Sequence, residues 1–227
     1  MKVQFYTCDV FTDAPFGGNQ LAVFPDAMNI PEKLLQSITK EFNFSETTFV
    51  YPPANPAHTN RVRIFTPGKE LPFAGHPTVG TAVALATIGK IPMTGTETKI
   101  IFEEGVGAVP VTIRAANGKS SFAQLSAAKL PEYKNLVPSA NDIAQCLSLS
   151  REEITDAQFP IQSVSVGVFF LFVPIKTRTA LKRIRLNIQK LETLYKEFGV
   201  GEIFVFTTDA EQPDSKFRAR MFAPTLG

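Results

Sequence analysis

Tryptophan is absent from the 227 residues, and cysteine and histidine occur only twice each. Cys8 and Cys146 lie far apart without metal-ligand spacing, which excludes a disulfide framework and a cysteine zinc site. Both read as buried free thiols of a reducing compartment. Charge of one sign is also lacking: 23 Lys and Arg against 21 Asp and Glu leave a net +2. So small an excess leaves no electrostatic footprint for nucleic acid. The cluster Lys182-Arg183-Ile184-Arg185 reads as the solvated face of a helix. No apolar run is long. The greasiest, Val164 to Ile175, has about 12 residues where a membrane-spanning helix needs ~20, so it reads as a buried strand. Met1-Lys2-Val3-Gln4-Phe5-Tyr6 lacks the apolar stretch of a signal peptide, and a cytoplasmic, non-membrane location is expected. Gly17-Gly18-Asn19 has no Gly-Lys-Ser/Thr after it, Gly75 to Gly80 lacks dinucleotide-binding spacing, and no Gly-x-Ser-x-Gly elbow occurs. These absences remove the local signatures of P-loop, nucleotide-fold and Ser/His/Asp hydrolase chemistry.

What is present is a duplication. Arg61-Val62-Arg63-Ile64-Phe65-Thr66-Pro67 recurs as Arg218-Ala219-Arg220-Met221-Phe222-Ala223-Pro224. After the first copy the chain continues into Gly68-Lys69-Glu70-Leu71-Pro72-Phe73-Ala74-Gly75-His76-Pro77-Thr78-Val79-Gly80; after the second only Thr225-Leu226-Gly227 follow. Two similar halves are expected, residues 1–118 and 119–227, the second without the continuation that would supply its central helix. A hydrophobic content of 44% gives each a real core.

Alternation and β-branched runs place strands at residues 3–10, 21–24, 47–51, 61–66, 99–102, 108–114 and 121–125. The glycine-rich stretch 11–20 is a loop. Apolar Leu34, Leu35, Ile38 and Phe42 give residues 31–42 one greasy helical face. Residues 77–88, rich in Ala, Val and Leu, read as a buried helix entered from a turn at Gly75-His76. Asn117-Gly118 is a hairpin signal. The second half reads as helices at 139–147, 179–184 and 187–198, the last ended by Gly199. Its strands fall at 162–173, broken by Gly167, and at 202–207 and 217–222. The class is α+β, each half a curved mixed sheet wrapped on a central helix.

A turn into a helix leaves unpaired backbone N–H groups, which with the helix dipole favour an anion. Gly75 would let such a ligand approach. His76 there either donates a hydrogen bond or proton to it, or is a satisfied structural histidine. Glu46, between an amphipathic helix and an apolar strand, is either an exposed loop glutamate or a partly desolvated general acid/base. Glu70 beside Lys69 reads equally as an ion pair or solvated turn and as a site residue. His58, among Pro52, Pro53, Asn55 and Pro56, reads as a surface-loop residue.

Residues 70–80, Glu-Leu-Pro-Phe-Ala-Gly-His-Pro-Thr-Val-Gly, resemble the signature of the PhzF-like phenazine-biosynthesis isomerases. Asp9-Val10-Phe11-Thr12 with Gly18-Asn19, Phe44-Ser45-Glu46-Thr47 and the Arg-x-Arg-x-Phe-x-Pro strand support the same resemblance in order along the chain. It implies the diaminopimelate epimerase-like fold: two pseudo-symmetric halves, each a sheet rolled around a central helix, with the active site in the cleft between them. It also implies isomerisation by proton transfer, without cofactor or metal, on a small anionic, carboxylate-containing substrate. Glu46 matches the family's acid/base and His76 its motif histidine. Ser45, Gly75, Pro77 and Asn19 would bind substrate, and a homodimer is expected. Epimerases of this fold use two cysteines, and Ala74 before Gly75 makes two-thiol racemisation the wrong chemistry here.

Two departures from the family stand out. Its Glu-Asp-Pro-Ala-Thr-Gly-Ser-Ala motif, expected after the second Arg-x-Arg-x-Phe-x-Pro strand, does not follow before Gly227, so the second half reads as C-terminally truncated. Near Phe170, where many relatives place histidine, there is none. The alternative reading is therefore a catalytically impaired homologue that binds a small anion or a partner protein. A hydrolase built on Ser45 and His76 lacks a third residue.

Overall fold

A helix with no charged face has to be covered on every side. In the computed structural model, which describes residues 2–116, 119–155, 158–199 and 201–224, that constraint organises the first half. The chain is α+β and divides into two compact units, Met1–Leu130 and Pro131–Thr225.

The first unit opens with the antiparallel pair β1 (Tyr6–Val10) and β2 (Asn19–Phe24). Helix α1 (Glu32–Phe42) crosses over to β3 (Glu46–Tyr51), parallel to β2, and β4 (Asn60–Phe65) returns antiparallel. After β5 (Glu70–Leu71) comes helix α2 (Gly75–Thr87), then the meander β6 (Glu97–Glu104), β7 (Gly107–Ala116) and β8 (Lys119–Leu125). The sheet order is β1-β2-β3-β4-β6-β7-β8, with β5 on β4. Its two edge strands, β1 and β8, both pack on α2, as do β2, β3 and β7, so the sheet curls around the helix. Ladder pairing of β8 to β7 carries this unit past residue 118 to Leu130; the Asn117-Gly118 turn itself lies outside the described residues. Gly75 and His76 are the first two residues of α2 rather than a turn before it. Extended Ala74 is the N-cap, and Pro77 falls in the first turn, where its missing N–H costs nothing.

Helix α1 ends at Asn43, whose left-handed backbone (φ 52°) lets its N–H reach the Thr39 carbonyl. Its buried face meets Phe24, Phe49 and Phe65: Phe24 packs edge-on with Phe42 and stacks on Phe49, which meets Phe65 edge-on. Arg63 of β4 ties α1 to the sheet by a fork to Glu32 (2.6 and 2.8 Å) and a second to Glu70 (2.7 Å each). Glu70 thus serves Arg63 and not Lys69. His58 is half-buried, its Nδ1 2.9 Å from Glu103, which also accepts from the N–H groups of Ala54 and Asn55. Cys8 is only partly buried and Cys146 fully; burial pushes both thiols up to about 11, which leaves them poor nucleophiles.

The second unit repeats the opening of the first. Strand β9 (Glu132–Lys134), helix α3 (Ala140–Leu147) and a 3₁₀ turn at Arg151–Glu153 lead to the hairpin β10 (Gln162–Ser165) and β11 (Phe169–Pro174). The expected single strand over 162–173 is this hairpin: Gly167 adopts φ 153°, and its N–H donates to Ser165 Oγ. Helices α4 (Arg178–Arg183) and α5 (Ile188–Phe198) cross over to β12 (Ile203–Thr207), parallel to β11, and β13 (Arg218–Phe222) returns antiparallel. Hairpin, helical crossover, parallel strand and antiparallel return match β1-β2-α1-β3-β4. The repeated motif is the final strand of both, and it does the same work. Arg63 lies over Phe65 and Arg220 over Phe222. Arg63 holds α1, while Arg220 donates to the Leu181 and Lys182 carbonyls of α4. Side chains of Ser139, Thr177 and Asn187 cap α3, α4 and α5. Lys182 and Arg183 pair with Glu211 and Glu153, while Ile184 between them and Arg185 is buried. No helix among the described residues is long and apolar enough to cross a membrane.

Close approach of α2 to β1 and β2 depends on Gly80, where a Cβ would stand 2.6 Å from Val10 Cγ2 and 2.8 Å from Leu21 Cδ2. Gly80→Val is expected to cost about 1–3 kcal/mol through overpacking, seen as a lower urea midpoint with an unchanged slope.

Candidate functional site

Parallel register places Glu46 beside Leu21, so the starts of β2 and β3 lie side by side. Asn19 opens β2, Ser45 precedes β3, and Glu46 is the first residue of β3. The first turn of α2 brings Gly75, His76 and Pro77 to the same end of the sheet. Three contacts join the group: Ser45 Oγ donates to Asn19 Oδ1 (2.7 Å), Asn19 Nδ2 meets His76 Nδ1 (3.2 Å), and His76 Nε2 lies 3.1 Å from Glu46 Oε2. In the tautomer in which Asn19 donates to Nδ1, the imidazole proton sits on Nε2, toward Glu46.

The Glu46–His76 contact has ion-pair distance without ion-pair character. Both side chains are more than nine-tenths buried. Burial pushes the Glu46 carboxyl up to about 7 and the His76 imidazole down to about 4, the Gln20 carbonyl offsetting the latter only in part. A base that weak leaves the proton with the acid, so below about pH 7 the pair is neutral. Neither Glu46 Oε2 nor His76 Nε2 has an aligned hydrogen bond to any protein group. Two polar atoms buried without partners are costly, and here they face each other.

The N-terminus of α2 offers a second resource. No side chain caps it and no acidic residue stands in its first turn. A Cβ at Gly75 would meet nothing within 4 Å. Free N–H groups, a positive dipole end and open space suit an anion. Phe11, exposed and held at φ 65°, sets its ring 6.4 Å from that of His76. A cavity of about 770 Å³ lies elsewhere, between the sheet edges β1 and β8 along the later turns of α2; it is mostly apolar and is not lined by Glu46 or His76. No cluster of three His, Cys, Asp or Glu side chains suited to a metal occurs among the described residues.

All six residues singled out from the sequence, Asn19, Ser45, Glu46, Gly75, His76 and Pro77, fall at this one end of the first unit. Two neighbours were not singled out as site residues. Glu104 lies past the strand expected at 99–102, yet it is buried against Thr78 of α2. Phe11 falls in the stretch that reads as loop, although Asp9-Val10-Phe11-Thr12 carries part of the family resemblance.

Comparison with known proteins gives one consistent answer. The family of phenazine biosynthesis-like proteins (PhzC-PhzF) matches residues 8–227. An uncharacterized isomerase of Mesorhizobium japonicum is 38% identical over 95% of this chain and 71% of its own length. The trans-2,3-dihydro-3-hydroxyanthranilate isomerase of Pseudomonas fluorescens is 32% identical, over 96% of this chain and 71% of its own. The crystal structure of the Bacillus anthracis phenazine biosynthesis protein of the PhzF family superposes with a TM-score of 0.84 at 26% identity, covering 98% of this chain and 73% of that one. These relatives support an isomerase.

Burial of Glu46 has a consequence for stability. Its pKa is about 7 folded against 4.5 ordinarily, so between those values the folded state holds the extra proton. The stabilisation is complete below pH 4.5 and lost as pH rises through about 7, amounting to about 3 kcal/mol. Lowered His76 acts oppositely: its contribution is present above pH 6.5 and lost as pH falls through about 4. Glu46→Gln is expected to flatten the decline between pH 5 and 7 by close to one proton, measured by urea unfolding at successive pH values.

Proposed function

The chain belongs to the phenazine biosynthesis-like protein family, and on that premise we propose that it is a cofactor-independent isomerase moving a proton on a small carboxylate-containing metabolite. The observation that carries this reading is the buried Glu46–His76 contact beside an uncapped helix N-terminus. A carboxyl poised near pH 7 can take and return a proton with similar ease, which is what a general acid/base shuttling between two carbons requires.

In this reading the substrate carboxylate binds the first N–H groups of α2 over Gly75. Ionised Glu46 removes a proton from one carbon, and the electron pair shifts along the unsaturated system. The same carboxyl, whose proton exchanges with solvent while it is held there, then protonates another carbon. Reactant and product differ only in where one hydrogen and one double bond sit, and Glu46 ends as it began. Neutral His76 supplies a hydrogen bond through Nε2 and takes no charge. Asn19 fixes its ring, and Ser45 fixes Asn19. The substrate class follows from the anion site and from the anthranilate in the name of the P. fluorescens relative.

The test is solvent exchange. Incubated in deuterium oxide with small unsaturated carboxylates, beginning with trans-2,3-dihydro-3-hydroxyanthranilate, the protein should place deuterium on a substrate carbon. Glu46→Gln should slow this by ~10²–10⁴-fold, followed by mass spectrometry. Undiminished exchange in Glu46→Gln would overturn the assignment. Ligand binding with no exchange in the wild type would favour an anion-binding protein instead.

A further inference from the structure

Thr78 Oγ sits between two oxygens, and one hydroxyl proton cannot serve both. The Ala74 carbonyl lies at 2.7 Å and Glu104 Oε1 at 2.6 Å. The carbonyl can only accept, so with Glu104 ionised one contact would set lone pair against lone pair. With a proton on Glu104 Oε1 both are hydrogen bonds: Glu104 donates to Thr78 Oγ, and Thr78 donates to the Ala74 carbonyl. Thr78 is fully buried and Glu104 nine-tenths so. Oε2 has no partner in the protein, a smaller cost for a neutral carbonyl oxygen than for a carboxylate.

No cation rescues the ionised form. Arg61 and Arg63 of β4, Glu70 of β5 and neighbouring Glu103 border the same small cavity as Glu104. Arg63 is engaged by Glu32 and Glu70, and Arg61 lies over the Tyr51 ring. Glu103 is held by His58 and two backbone N–H groups. The one titratable group on facing α2 is His76, and no ion pair to Glu104 occurs among the described residues. Burial accordingly lifts this carboxyl to about 7.

The contact has a mechanical setting. Val106 N–H donates to the Pro72 carbonyl (3.0 Å), and a Cβ on Gly105 would stand 2.7 Å from Pro72 Cα. The β6–β7 turn thus grips the segment entering α2 at Pro72 and again, through Glu104, at Thr78. Between these grips lie Ala74, Gly75 and His76.

We propose that Glu104 is a positioning residue whose retained carboxyl proton, donated to Thr78 Oγ, fixes the first turn of α2 and with it the Gly75 N–H and the His76 ring. The proposal rests on the isomerase reading for its functional meaning, but its first test does not. Infrared spectra near pH 6 in a Glu46→Gln background, where Glu46 cannot contribute, should show the carbonyl stretch of a neutral carboxylic acid. Adding Glu104→Gln should remove it. In the same background the Gly75 and Thr78 amide resonances should shift as Glu104 titrates, and Glu104→Gln, whose amide also donates to Thr78, should abolish that step. A spectrum lacking a Glu104-dependent band, or amides blind to its titration, overturns the proposal. In otherwise wild-type protein, Glu104→Gln should hold solvent exchange within about twofold, while Glu104→Ala should lose roughly tenfold in kcat, a loss of about 1.4 kcal/mol, with KM little changed. Equal losses in both variants would overturn it too. Absence of exchange in the wild type would count against the isomerase and leave the spectroscopic result standing.

Discussion

Everything at the candidate site depends on how α2 is packed. The helix carries no charged residue, so water is a poor neighbour on any side, and the eight-stranded sheet curls until both of its edges reach it. Gly80 permits that approach. With the sheet curled round the helix, its first turn lies against the starts of β2 and β3, and two of the side chains that stand there are desolvated with it. Glu46 and His76 are those side chains. Burial, not a neighbouring charge, sets both their proton affinities.

Desolvation acts on the two groups in opposite senses. It makes the acid weaker and the base weaker, so each prefers to be uncharged. A salt bridge at this spot would demand charge separation in a setting that provides few compensating hydrogen bonds. The neutral pair avoids that cost and keeps a proton close to physiological pH, ready to be exchanged. The uncapped helix end adds a complementary feature: a fixed, partly positive surface that neither titrates nor needs a counter-charge. An anion bound there would meet a titratable carboxyl without two charged side chains in the interior.

Much of this was legible in the sequence for identifiable reasons. The repeat around Arg63 and Arg220 reported a structural unit because both arginines do the same job, stacking on a phenylalanine two residues on and holding a helix. The six site residues stood out because their motifs agree in order along the chain. Physical reading of Glu46 and His76 left each open, since position alone does not reveal burial. Glu104 was not legible: an acidic pair at a strand end ordinarily faces solvent, and only the placement of Thr78 over it shows otherwise. The 162–173 run hid a hairpin because Gly167 stands between apolar Val166 and Val168, so the break there reads as an interruption of one strand. Glu70 reads from the sequence as an ion pair with Lys69, a solvated turn or a site residue, and the fold gives it to Arg63 across the sheet.

The measurement closest to the central claim is the protonation state of the His76 ring, read from its imidazole ¹⁵N shifts in ligand-free protein between pH 4 and 8. A neutral pair predicts an uncharged ring with its proton on Nε2 across that range, protonating only near the lower end, at about pH 4. An imidazolium at pH 6 to 7, paired with an ionised Glu46, would contradict the account, because burial would then have failed to decide where the proton resides.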